Sequence, residues 1–169
     1  MTTSKLKLGG FTLVEALVAI AILLTAVVGP ISLIGDATHK LYYSRDRLIA
    51  LSLAQEGIEV VRQKRDSNML GAVAWDTGIT AGNYVINATS STPIIPSVPN
   101  DITPKQVYID TQGFYGQAPG TLTPFKRIVT TTGGGLTPEL KVTSTVTWTT
   151  GGQAGTVTVS EYLFKWAVL

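Results

Sequence analysis

The chain has 169 residues, 44% of them hydrophobic and 14% charged, a composition that fits a folded chain of about one domain and excludes a disordered one. Thirteen Lys and Arg against eleven Asp and Glu leave a net charge of +2, too slight to point to nucleic acid, and no nucleic-acid partner is expected. There is no cysteine, which excludes disulfide frameworks, thiol redox chemistry and thiolate metal sites.

The first ten residues, MTTSKLKLGG, are short and polar, with Lys5 and Lys7 as their only charges. An apolar run of 24 residues follows, from Phe11 to Ile34. That is enough to cross a hydrocarbon core of roughly 30 Å at about 1.5 Å per helical residue. No charged residue lies between Ala16 and Gly35, and the two lysines precede the run. The positive-inside bias therefore predicts a cytoplasmic amino end, a span over about 11–34 and an external remainder. A cleaved secretory signal fits badly, because its apolar core is shorter and ends in a small-residue cut site, whereas Ala19-Ile20-Ala21 lies mid-run. Glu15 is the anomaly. A carboxylate at the centre of a spanning helix costs about 2.5–3.5 kcal/mol, less near its end, and it wants a positive partner. If the leader were removed after Gly10, the new α-amino group of Phe11 would be one, from the same chain or a neighbouring copy.

The stretch KLGGFTLVEALVAIAIL resembles the class III signal of type IV pilins and pseudopilins, matched here at Lys5, Lys7, Gly10, Phe11 and Glu15. The resemblance implies cleavage between Gly10 and Phe11 and N-methylation of Phe11 by a membrane prepilin peptidase. It also implies that Glu15 neutralises a neighbouring subunit's amino terminus during filament assembly. Leu53–Asp66 and the Trp-containing terminal hairpin are similar to minor pilins, and the missing cysteines depart from pilins closed by a carboxyl-terminal disulfide.

Beyond Gly35 the helical pattern continues to Asp66, with apolar residues at Ala37, Leu41, Leu48, Leu51, Ala54, Ile58 and Val61 on one face. Leu51, Ile58 and Val61 are the expected helix-side core of the external part. Gly29-Pro30 interrupts the long helix, and a kink or local melt is expected there, since proline removes a donor and clashes with the preceding turn. From Ser67 onward the composition turns to Gly, Pro, Thr and β-branched residues. AGNYVIN, QVYID, FKRIVTTT, LKVTSTVTWTT and GTVTVSEYLFKW read as strands. Val142, Val146 and Trp148 alternate with Thr143, Thr145 and Thr147, which predicts one apolar and one hydroxyl face. GGQAG at 151–155 predicts a hairpin connection into a strand starting at Thr156, with a bulge near Ser160-Glu161 where the apolar phase shifts. The four prolines of NATSSTPIIPSVPNDITP predict an exposed loop.

These elements predict an α+β fold: a 1–10 leader, a long amino-terminal helix over 11–66, and a β-rich head of 67–169 packed as an antiparallel sheet on helix residues 36–66. No catalytic, cofactor or metal chemistry is expected. His39 has no second His or Cys partner. Asp76, Asp101 and Asp110 do not form a calcium-loop spacing, and the Gly-rich stretch at 130–135 lacks the Lys and Ser/Thr of a phosphate loop. The expected function is that of a minor pilin or pseudopilin in a type IV pilus or type II secretion-like filament. Its expected partners are other pilin-like subunits, the prepilin peptidase, an inner-membrane assembly platform and, before assembly, membrane lipid. The alternative is a single-span, membrane-anchored external binding or adhesion module.

Overall fold

The computed structural model describes residues 10–88, 94–96, 101–135 and 137–166. Its contacts divide the chain into two compact units, Met1–Leu41 and Tyr42–Leu169. A single helix, α1 (Leu13–Leu70), enters both. It ends four residues later than the predicted Asp66, because Ser67, Asn68, Met69 and Leu70 complete another turn. The Gly71 N–H then donates to the Ser67 carbonyl, and both Asn68 Nδ2 contacts, to the carbonyls of Trp75 (3.1 Å) and Thr77 (2.9 Å), tie the following turn to the helix end. Sequence pattern could not see this, since the polar Asn68 is buried for its hydrogen bonds rather than for its hydropathy.

In the first unit every described side chain from 11 to 41 is exposed. The helix runs unbroken through Gly29 and Pro30, so the expected local melt is not present. The hydroxyl of Thr25 donates to the carbonyls of Ala21 and Ile22, at 3.1 and 2.9 Å, which satisfies a polar group inside the apolar run without a partner from outside.

In the second unit, helix residues 42–70 pack on a seven-stranded antiparallel sheet, the pilin-like α+β architecture. Its strands are β1 (Gly82–Ile86), β2 (Ile94–Pro96), β3 (Lys105–Ile109), β4 (Tyr115–Gly116), β5 (Thr121–Gly133), β6 (Glu139–Thr150) and β7 (Gln153–Phe164). β5 is the spine. One of its edges pairs with β6, which pairs with β7. Its other edge is shared: β1 takes 129–131 and β3 takes 121–127. The Gln117 side chain closes the gap between those two strands. Its Oε1 accepts from the Ile86 N–H (2.7 Å), and its Nε2 donates to the carbonyls of Lys105 and Arg127 (both 3.1 Å), so an amide side chain replaces a peptide group in the ladder.

Three expectations for the strands change. The predicted Pro-rich loop contains β2, while its residues 89–93 and 97–100 lie outside the described ones. The β6–β7 hairpin turns on Gly151 and Gly152 alone, both with positive φ (55° and 83°) as a two-residue turn requires, and β7 begins at Gln153 rather than Thr156. There is no bulge at Ser160-Glu161. The pairing runs without a shift from Thr150–Gln153 to Glu139–Phe164. Tyr162 and Phe164 instead face outward, 52% and 53% exposed, and Glu161 faces the helix to pair with Arg62.

The helix stripe matches the expected one at Ala54, Ile58 and Val61 and departs from it at Leu48 and Leu51. Ala50, Leu53, Ala54, Ile58, Val60 and Val61 are buried, whereas Leu51 is 37% exposed and Leu48 66%. The face toward the sheet is chosen by close approach and by polar anchors that a hydrophobic count ignores. A Cβ on Gly57 would stand 2.7 Å from Ser144 Oγ and 2.9 Å from a Val129 methyl, so helix and sheet approach too closely at this glycine for a side chain. Asp46, also buried, accepts a 2.6 Å hydrogen bond from the Thr150 hydroxyl at the hairpin end. The apolar core has two parts, one around Val61, Ile79, Ile86 and Val142, the other around Ala54, Val107, Phe125 and Trp148.

Candidate functional site

The residues singled out by the sequence gather at the amino-terminal end of α1. Gly10 and Phe11 precede the helix in non-helical backbone, both exposed, Phe11 by 83%. Thr12 is the helix cap. Its hydroxyl accepts from the Glu15 N–H at 3.2 Å, and its carbonyl accepts from the Ala16 N–H at 3.1 Å. Thr12-Leu13-Val14-Glu15 has the residue spacing of a capping box, in which the acidic side chain three places after the cap sits over the unpaired N–H groups of the first turn. Glu15 therefore has a local reason for its place: the amino end of a helix favours a carboxylate. The Thr-x-x-Glu pattern was visible in the sequence, but the role of Thr12 was not read from it.

Gly10 carries no steric demand from the described residues. A Cβ built there meets nothing within 4 Å, and the same holds at Gly29 and Gly35. Lys5 and Lys7 lie outside the described residues. Thr12 and Glu15 are brought together; Gly29 and Pro30 are placed well along the helix and away from that end.

From Leu13 onward the helix is long and apolar enough to cross a membrane, with a mean hydropathy of 2.7 over its most apolar window and none of that window buried. Among the described residues no group of His, Cys, Asp and Glu could hold a metal ion. His39 is exposed. Asp76 serves the fold, its carboxylate accepting from the Gly135 N–H at 2.6 Å. Asp110 caps the turn after β3, accepting from the N–H groups of Gln112 and Phe114, both at 2.9 Å. At Asp101, the Lys105 ammonium and then the Thr103 N–H hold the carboxyl down to about 2.

Sequence reasoning missed the one buried cation among the described residues, Arg127 on β5. Its Nη1 donates to the Leu53 carbonyl on α1 and its Nη2 to the Ile86 carbonyl on β1, each at 2.8 Å. Burial lowers its pKa, and the nearby Glu56 carboxylate, 3.5 Å away, opposes that shift. Arg127 is enclosed and joins helix to sheet, so it is an anchor rather than a site. Comparison with family models, with curated proteins and with solved structures gives no match to this chain.

Proposed function

We propose that the chain is a structural subunit, a minor pilin or pseudopilin of a type IV pilus or type II secretion-like filament. The observation that carries the reading is one junction: an exposed, non-helical Gly10-Phe11 peptide lies directly before a Thr12-capped apolar helix whose only acid before Asp36 is Glu15. A protease needs an accessible peptide outside regular structure, and Gly10-Phe11 is exposed and non-helical. Because a Cβ on Gly10 would meet no atom among the described residues, a requirement for glycine there would come from the peptidase that reads it.

Cutting after Gly10 would create an ammonium at Phe11, and N-methylation would leave its charge in place. Glu15 lies on the first turn, and it would pair with that amine or with a neighbouring copy's. In lipid both charges are costly; in a bundle of helices they pair. The apolar side chains find lipid and helix bundle alike, so the transfer costs them little. The chain would thus be held by lipid first, then passed by an assembly platform to other pilin-like subunits, with the external unit acting through contacts rather than turnover.

The test is filament incorporation in the native host. Glu15→Gln should leave the membrane pool at the wild-type level and lower the chain's content in sheared filaments at least tenfold. Equal incorporation of the variant would show that Glu15 only caps its helix, and absence of the wild-type chain from filaments would favour a membrane-anchored binding module.

A further inference from the structure

β7 is an outer strand. Among the described residues it pairs with β6 alone. It is twelve residues long, without proline, lysine or a register shift. The Lys165 N–H donates to the Pro138 carbonyl at 2.8 Å, in the same register as the rest of the pair. That fixes which backbone groups point where: odd-numbered residues exchange hydrogen bonds with β6, and the N–H and C=O groups of even-numbered ones point away from the sheet. Natural sheets blunt such edges with charge, proline, bulges or a cover. Half of this edge is blunted. Near its end Arg62 pairs with Glu161, and Arg65 donates to the Phe164 carbonyl at 3.5 Å. Between Ala154 and Ser160 the strand has no charge, and its even-numbered residues Ala154, Thr156, Thr158 and Ser160 are exposed.

Beside Val157 on this open half lies a groove of about 430 Å³, lined by that residue and by Ser44, Arg47, Leu48 and Leu51 of α1. The leucines that failed to join the core are its wall.

We propose that the open edge of β7 and this groove form a docking site for an extended strand of another protein. Its backbone would pair with Thr156, Thr158 and their neighbours, its alternate apolar side chains would enter the groove, and an acidic side chain would meet Arg47. Backbone pairing supplies affinity in such strand addition, and pockets for every second side chain supply specificity. A helix would leave the N–H and C=O groups of the edge unmet. Charge decides against a second copy of β7 as the occupant. Arg47 has no ion pair among the described residues, and the one carboxylate of β7, Glu161, already faces Arg62. This site is independent of how the amino terminus is processed.

The experiment uses the full-length chain in detergent micelles and a fluorescent probe peptide of about nine residues, alternating valine and threonine around one glutamate. Saturable binding by anisotropy is expected. N-methylation of alternate probe amides along one edge should weaken it at least tenfold. Thr158→Pro should do the same, since that N–H points away from β6 and proline there removes a free donor, not a ladder bond. Arg47→Glu should reverse the preference, binding a lysine-containing probe at least tenfold better than the glutamate one. Should Thr158→Pro fail to melt cooperatively, the methylated probe and the charge reversal decide. Equal binding of methylated and plain probes, or no binding at all, would overturn the proposal. So would a homodimer in sedimentation that Arg47→Glu leaves intact and that excludes the probe, which would assign the edge to a second copy.

Discussion

Arg127 shows how much of the second unit's order hangs on single side chains. A guanidinium with no solvent exposure is costly unless its donors are met, and here two of them hold carbonyls on separate elements, Leu53 on α1 and Ile86 on β1. Arg127→Ala removes both bonds and opens a cavity, and it should cost about 3–5 kcal/mol in urea unfolding. Glu56→Gln should cost about 1 kcal/mol or less, because that carboxylate is 30% exposed and its contact with Arg127 is long at 3.5 Å. If the two substitutions cost the same, the ion pair rather than the carbonyl bonds is the anchor. Nothing in FKRIVTTT marks Arg127 as internal: strand alternation puts it on the core face with Phe125 and Val129, but a lone cation there reads as surface until its carbonyl partners are known.

At the scale of elements, strand positions were largely legible and their endpoints and phases less so. Alternating Val and Thr in β6 located both faces correctly, since Leu140, Val142, Val146 and Trp148 are all buried. Glu161 misled because a strand position facing a helix can hold a carboxylate when an arginine waits opposite, and apolar alternation then appears to slip. The helix stripe misled in part, for a related reason. The apolar count placed Ala54, Ile58 and Val61 correctly but also chose Leu48 and Leu51, while contact with the sheet chose Asp46, Ala50 and Gly57, whose small or polar side chains allow the close approach. The consequence is measurable. Leu51→Asp should leave the cooperative melt within about 1 kcal/mol of wild type, since its side chain reaches solvent. Val61→Asp, with no exposure at all, should abolish the melt or lower stability by several kcal/mol, on the order of the cost of an unpaired buried carboxylate. Equal effects would mean that the helix sits on the sheet by its leucine face.

For the whole molecule, the sequence separated an apolar helical segment from a β-rich one, and both are present. Among the described residues the fold explains neither Gly10 nor the abrupt start of the apolar run, because a side chain at that glycine would meet none of them. Under the proposed function, processing by another protein would explain them, and this is the central claim. Intact-mass measurement of the chain purified from its native membrane addresses it most directly, wild type beside Gly10→Val. The account predicts a wild-type chain that begins at Phe11 and is heavier than the unmodified mature sequence by one methyl group, and a Gly10→Val chain that keeps all ten leader residues. A wild-type mass that retains the leader, or identical processing of both chains, would contradict it.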